Sequence, residues 1–348
     1  MSRQLLPANT LILDLDLPRR LYPWTGLLMG LWLVGCHGPQ SALEPAGRAA
    51  ESIAGLFWWM MAGAAVIWLV VVSIALYVMR IRPEAHGQRF ASWLIIGGGA
   101  ILPTLTLAAL LAYGLTMMPD LLAPPSGDHL QIAVSGEQWW WRVRYPPPDG
   151  GEGSSVELAN ELRLPVGLPV RFAVESPDVV HSFWIPSLGG KIDMIPGRTN
   201  LLTLEPTRTG VFRGVCAEYC GTSHALMALD VVVLEKHEYT AWLQRQREPA
   251  QRPEQAEALR GQDLFIANGC GACHTVRGTL ADGIVGPDLT HVGSRASLGA
   301  GTLPNDLESL IRWMAHTETV KPGVHMPAFG MLPSEDLRAL AIYLNGLK

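Results

Sequence analysis

Two runs without a charged residue, Ser52 to Met79 and Ala91 to Pro119, limit this chain more than any other feature of its sequence. At 1.5 Å per residue each is long enough to cross ~30 Å of hydrocarbon. In hydrocarbon the backbone must satisfy its own polar groups, so both runs are expected as transmembrane helices. Composition agrees: only 16% of the 348 residues are charged and mean hydropathy is +0.20. Between the runs lie Arg80, Arg82 and Arg89. Arginines gathered in so short a loop place it in the cytoplasm, with both outer ends on the opposite side. Pro103 falls mid-span, and Gly97-Gly98-Gly99 permits close packing or a kink. A hairpin this apolar has little function alone and is expected to dock against a larger membrane subunit. A net charge of −5 offers nothing to nucleic acid, which is not expected as a partner.

Ahead of the hairpin, residues 1–35 have the make-up of a signal peptide: Arg19 and Arg20, then an apolar run from Leu21 to Gly35. Leu33-Val34-Gly35-Cys36 resembles a bacterial lipobox, which implies cleavage before Cys36 and lipid on its sulfur. An uncleaved anchor carrying an unrelated cysteine is the plainer alternative.

The other four cysteines form two close pairs, Cys216/Cys220 and Cys270/Cys273, a pattern of cofactor chemistry and not of a disulfide framework. In Cys216-Ala-Glu-Tyr-Cys220-Gly-Thr-Ser-His224-Ala-Leu-Met227, two thiols, an imidazole and a thioether fall within twelve residues. Thiolate, imidazole and thioether are soft donors that suit copper better than magnesium or calcium. Two thiolates so close can bridge two copper ions. Two coppers need a second imidazole, for which His181 is the candidate. A disulfide or a structural zinc site competes for the same residues. Neither accounts for Met227, nor for Glu218 and Tyr219 between the cysteines.

Around this loop, residues 128–235 alternate apolar runs with Gly and Pro turns. The runs 129–135, 138–145, 156–164, 170–175, 199–204, 211–216 and 228–234 are expected as strands, and seven short strands at that spacing predict a β-sandwich. A polar stretch with two prolines, within 237–256, is expected as a linker that opens as a short helix.

Past the linker, Cys270-Gly-Ala-Cys273-His274 is the attachment pattern for a c-type haem. Its two thiols form thioethers with the haem vinyls, and the adjacent His274 is placed to bind the iron. A zinc half-site is the alternative, but no second Cys/His pair of suitable spacing follows. The stretch 259–268 is expected as an amphipathic helix with Leu264 and Phe265 inward, and the closing helix as 335–347 with Ser334 as N-cap. The sixth iron ligand is expected to be Met326, with Met331 in reserve and Met314 as core.

These residues carry a resemblance. The 216–227 loop resembles the binuclear copper (CuA) loop of cytochrome c oxidase subunit II. So do Ser176-Pro-Asp178-Val-Val-His181-Ser-Phe-Trp-Ile-Pro186 and Lys191-Ile-Asp193-Met-Ile-Pro-Gly-Arg198, and Gly136-Glu-Gln-Trp139-Trp-Trp141 resembles the family's aromatic stretch. Residues 256–348, with Gly286-Pro-Asp-Leu289, resemble a class I cytochrome c. The resemblance implies a multidomain membrane protein of the caa3 type, divided as follows. A signal peptide occupies 1–35 and a transmembrane hairpin 36–120, with helices near 53–80 and 91–118. A cupredoxin-like Greek-key CuA domain spans 121–236, a linker 237–255 and an all-α cytochrome c domain 256–348.

It implies that Cys216 and Cys220 bridge two coppers, that His181 and His224 each bind one, and that Met227 and the Glu218 carbonyl are axial. It also implies Mg2+ on the Glu218 side chain at the subunit I interface. Trp139 resembles the electron-entry tryptophan, against a plain reading of Trp139 to Trp141 as sandwich core and edge. Asp178 is expected to orient His181, while Asp193 and Arg198 face subunit I or are ordinary surface loop.

The implied function is electron entry to a terminal oxidase of the bacterial inner membrane, with both cofactor domains periplasmic. A soluble or membrane cytochrome c, or another periplasmic donor, would feed the covalent haem c, then CuA, then haem a and the haem a3-CuB site of subunit I. Oxygen would become water with proton translocation. Subunit III and membrane lipid are the further implied partners. One departure stands out: the family's glutamate near the start of the second helix is replaced by Ile96. This keeps a nitric oxide reductase partner as the alternative.

Overall fold

The computed structural model describes residues 37–81, 87–125, 127–147 and 155–348. Cys36 with the rest of 1–36, and the inter-helix loop 82–86, lie outside the described residues.

Helix α1 (Arg48–Leu76) opens the hairpin and widens into π geometry over Tyr77–Ile81. The second span is α2 (Gln88–Trp93), a π stretch (Leu94–Ile101) and α3 (Leu102–Leu122). The π stretch contains the three consecutive glycines, whose backbones tolerate the departure from α geometry. Pro103 follows closely on this stretch, where the helix changes from the wider π turn to α geometry. Both helices are long and apolar enough to cross a membrane, and their Trp, Ile and Leu side chains point outward.

The entry to α1 is laid against the sandwich that follows. Ala46 is fully buried, its N–H donates to Ser187 O (2.7 Å) and its carbonyl accepts from Thr207 N (2.8 Å). Arg48 makes a two-pronged ion pair with Glu205 (2.6 and 2.7 Å). Gly47 is required there: a Cβ would stand 2.4 Å from Leu188 O.

Ten strands build the sandwich: β1 (Leu130–Glu137), β2 (Trp140–Tyr145), β3 (Val156–Ala159), β4 (Glu161–Pro165), β5 (Val170–Glu175), β6 (His181–Trp184), β7 (Ile192–Met194), β8 (Asn200–Leu204), β9 (Gly210–Cys216) and β10 (Ala228–Leu234). They form two sheets, ordered β3-β2-β1-β5-β8 and β4-β10-β9-β6-β7. β5 shows the cause plainly: Val170, Phe172 and Val174 point inward, Arg171 and Ala173 outward, the period of a pleated strand. The inner faces bury Trp141, Phe172 and Phe183, with Trp141 and Phe172 each packed on the Phe183 ring.

One expected strand, 156–164, is two. At Asn160 the backbone turns left-handed (φ 60°) and the chain crosses from one sheet to the other. Asparagine tolerates this conformation, and its Oδ1 accepts from Trp141 N (2.9 Å).

The expected linker begins as helix α4 (Lys236–Arg247), closed at its N-terminus by a Glu235/Glu238 capping box. Tyr239 and Trp242 are buried on the sandwich core, and Trp242 meets Tyr145 edge-on at 5.4 Å.

The last third is helical: α5 (Ala256–Ala267), α6 (Leu307–Ala315), α7 (Thr317–Val320) and α8 (Ser334–Gly346), with a small hairpin of β11 (Ser297–Leu298) and β12 (Leu303–Pro304). α5 crosses α8 at Gly261, where a Cβ would stand 2.1 Å from Ala339 O. Ser334 is already inside the first turn of α8, one place past Pro333, and does not cap it. Asp306 caps α6 by accepting from Ser309 N (2.8 Å).

Candidate copper and haem centres

His181 opens β6, Cys216 closes β9, and the 217–227 loop returns into β10. The β9–β10 ladder and the Cys216 N–H to Met227 O bond (3.1 Å) fix both ends of the loop. Cys216 Sγ lies 3.8 Å from Cys220 Sγ, 3.8 Å from His181 Nδ1 and 3.2 Å from Glu218 O. Cys220 Sγ lies 3.5 Å from His224 Nδ1 and 3.9 Å from Met227 Sδ. The two sulfurs and the His181 nitrogen all fall within 4.8 Å of one another, on buried side chains. Both cysteines are free thiols.

This donor set fits a pair of copper ions. Two sulfurs sit side by side with one imidazole Nδ1 outside each, a thioether beyond Cys220 and a carbonyl beyond Cys216, which is a two-centre arrangement. A single tetrahedral zinc would leave Met227 and the Glu218 carbonyl without a purpose.

The surroundings set the protons. His181 Nε2 donates to Asp178 Oδ1 (2.9 Å), which turns Nδ1 toward the Cys216 sulfur; a metal bound there would take the place of any proton on Nδ1. Burial opposes ionisation of Asp178, but the Val179 N–H, the His181 ring and the Gln138 N–H outweigh it and hold the carboxyl below its usual range. The interaction with Cys220, helped by His181 and two backbone groups, pulls the Cys216 thiol well below the usual thiol range. The second proton is correspondingly retained on Cys220. A metal that binds both sulfurs must displace it.

Trp139 is nearly buried and touches the same loop: its Nε1–H donates to Cys220 O (3.0 Å), beside Gln138 Nε2 (2.8 Å). Gly221 makes the approach possible, since at φ +114° a Cβ would lie 3.0 Å from the Trp139 ring. Trp141 is core and Trp140 is half-buried beneath the Arg142 guanidinium. Asp193 sits on β7, beside β6, half-buried and 3.5 Å from Lys191 Nζ. Arg198 is exposed on the following turn, and Glu218 is exposed on the copper loop.

In the helical third, Cys270 and Cys273 lie on one tight turn, with the Cys270 carbonyl accepting from His274 N (3.0 Å). His274 Nδ1 donates to Pro287 O (2.8 Å), which leaves Nε2 as the free lone pair for a metal. Burial pushes its pKa down and keeps the ring neutral. Gly286 is needed beside it, because a Cβ would stand 2.5 Å from His274 Cε1. Two thiols for thioether links and a neutral imidazole oriented through Nδ1 fit a c-type haem. Met326 is half-buried against this core, Met331 is 77% exposed and Met314 is buried in α6.

Several residues escaped sequence reasoning. The guanidinium of Arg142 is gripped by Glu137 (2.8 Å) and Glu157 (2.6 Å) and donates to the carbonyls of Ile284 and Val285 (3.2 Å each). Glu161 accepts from Ala296 N (2.7 Å), and Ser297 bonds Asp230. Lys321 is buried between the two halves. No local pattern marks these residues, because each acts on a partner far away in sequence.

A soft-donor pair site on a Greek-key sandwich, carried beside a haem-attachment domain and an apolar hairpin, defines a metal-bearing electron carrier of membranes. Over 334 residues the chain is 35% identical to cytochrome c oxidase subunit 2 of Alkalihalophilus pseudofirmus, covering 91% of this chain and 94% of that protein. The chain belongs to the cytochrome c oxidase subunit 2 family, and so to the subunits of haem-copper oxidoreductases. It is also 30% identical over 349 residues to the Bacillus subtilis cytochrome c oxidase subunit 2, covering 92% of this chain and 96% of that protein. The family model for the subunit II periplasmic domain matches residues 147–235, and that for cytochrome c matches 258–348. The solved periplasmic domain of subunit II of Bradyrhizobium japonicum cytochrome oxidase is 35% identical, covering 35% of this chain and 96% of that one, with a TM-score of 0.32.

Proposed function

We propose that this chain is the electron-entry subunit of a caa3-type terminal oxidase. It would take electrons from a cytochrome c donor through its own covalent haem c, pass them to CuA and deliver them to haem a of subunit I, for reduction of oxygen coupled to proton translocation. The observation that carries the reading is the paired-sulfur cluster at Cys216 and Cys220, flanked by His181 and His224 within the same chain as a haem-attachment turn. When bound, the copper pair and the haem each supply a one-electron redox centre.

The chain's own residues do the rest. Cys216, Cys220, His181, His224, Met227 and the Glu218 carbonyl would hold the coppers, and Asp178 would fix the His181 tautomer. Cys270 and Cys273 would tether a haem by thioether links, and His274 and Met326 would supply the nitrogen and sulfur donors to its iron. Trp139 lies on the entry side of the copper loop through its bond to the Cys220 carbonyl. Rigid strands at both ends of the loop keep ligand geometry constant between redox states, which favours fast transfer. The Glu218 carboxylate, exposed beside the cluster, is the proposed Mg2+ ligand at the subunit I interface, and Asp193 and Arg198 share that face. The two spans cross the bacterial inner membrane as a two-pass anchor with both cofactor domains periplasmic, docking on subunit I and subunit III amid lipid. Lipidation at Cys36 would add a second anchor. Relatives named as oxidase subunits favour an oxidase over the reductase alternative left by Ile96.

The test is electron paramagnetic resonance and optical spectroscopy on the full chain, matured for haem and loaded with copper. The expected result is one unpaired electron shared over two coppers, together with a low-spin c-type haem. A single-copper signal, or none, overturns the reading of the loop.

A further inference from the structure

Lys321 follows α7, five residues before Met326, and is 2% exposed. Its Nζ donates to three carbonyls: Trp139 O (2.6 Å), Leu226 O (2.9 Å) and Gly299 O (2.9 Å). The first belongs to the segment that carries the entry tryptophan and the second to the copper loop. Only the third belongs to its own helical domain. The next two residues continue the contact. Pro322 O accepts from Ser223 Oγ (2.6 Å), and Gly323 lies on the Trp139 ring, where a Cβ would be 2.8 Å from it. Trp139 is thus covered by the chain's own helical domain and is only 6% exposed.

A buried amine is costly unless its donors are matched, so three well-placed carbonyls are a built site and not a chance contact. Burial draws the Lys321 amine down to about 7, and in either protonation state it keeps at least two N–H donors. Nothing in haem or copper binding uses this side chain.

We propose that Lys321 is the positioning residue that seats the Met326 loop on Trp139 and the copper loop, making this face a closed junction inside one chain and shutting it to any separate donor protein. This rests on the reading of the chain as a haem and dicopper relay. In the step served, one electron leaves ferrous haem, which becomes ferric, and the oxidised copper pair gains it; no bond is made or broken. Any external donor must then deliver to the haem domain and not at Trp139.

The test compares the full chain with its Lys321→Met variant, which keeps length and loses the donors. Two quantities are read: amide hydrogen exchange at residues 139–142 and 221–226, and the rate of haem-to-copper electron transfer after rapid photoreduction. The copper resonance and haem spectrum are recorded in both proteins, so that failure of the relay reading itself shows in the parent. The expected result is faster exchange at both segments and a transfer rate lower by about tenfold or more, with both cofactor signals unchanged. An unchanged rate, or a slower rate with unchanged exchange, overturns the proposal. Should Lys321→Met lose a cofactor, Lys321→Gln is read instead, since its shorter side chain cannot serve all three carbonyls: faster exchange at either segment together with a slower transfer rate supports the proposal, and any other result overturns it.

Discussion

Asp178 has four partners: the Gln138 and Val179 N–H groups, the Ser176 hydroxyl and the His181 ring, all at 3.0 Å or less. Removing it frees the imidazole to rotate and to change tautomer. Asp178→Ala is expected to weaken copper binding by about 10–100-fold in a chelator competition, with the fold intact. Unchanged affinity would leave Asp178 a loop residue only. For the haem, Met326→Ala should leave the covalent link in place and lower the reduction potential in a redox titration. A potential that does not move would point to Met331. Residues with compact motifs, such as 216–227 and 270–274, were legible in the sequence because their chemistry is local. Lys321 and Arg142 were not, since a lysine or arginine acquires meaning only from carbonyls and carboxylates that the fold brings to it.

At the level of elements, β5 and β10 fell where alternation put them, and the two spans where charge was absent. The breaks came where a single residue outweighs the pattern. Asn160 splits an apolar run that reads as one strand, because only the left-handed turn lets the chain change sheets. Helix α4 fell where the linker was expected to open as a helix, but its packing was masked by surface charge: Lys236, Glu238, Arg245 and Arg247 dominate the composition, while two aromatics do the packing. Trp242→Ala is expected to destabilise the sandwich by ~3–5 kcal/mol in urea unfolding, the usual scale for emptying a buried aromatic site. A loss below ~1 kcal/mol would mean that α4 rides on the surface.

On the scale of the molecule, the segment between α4 and α5 is not all that joins the copper and haem domains. Arg277 donates to the carbonyls of Gln246 and Arg247, on the far side of that segment, and the Arg142 and Glu161 contacts lie elsewhere again. A protease site placed at Gln251 to Glu254, exposed but for the half-buried Pro253, should, once cut, leave two pieces that co-elute in size exclusion. Separation would show that the tether alone keeps them together by raising their effective concentration. Nothing in the sequence announces this closeness: Trp139, Ser223 and Leu226 lie within motifs, but no motif names the partner that each meets across the junction.

The clamp at the entry to α1 also bears on movement. Ala46 is buried in the sandwich and Arg48 is paired to Glu205, so the anchor helix leaves the sandwich without a swivel. A redox head on a free stalk would search for its acceptor by swinging, and its rate would depend on how often it arrived. Here the height and tilt of the copper loop relative to α1 are settled once, when the chain folds. An acceptor docked beside α1 would then meet that loop without any search.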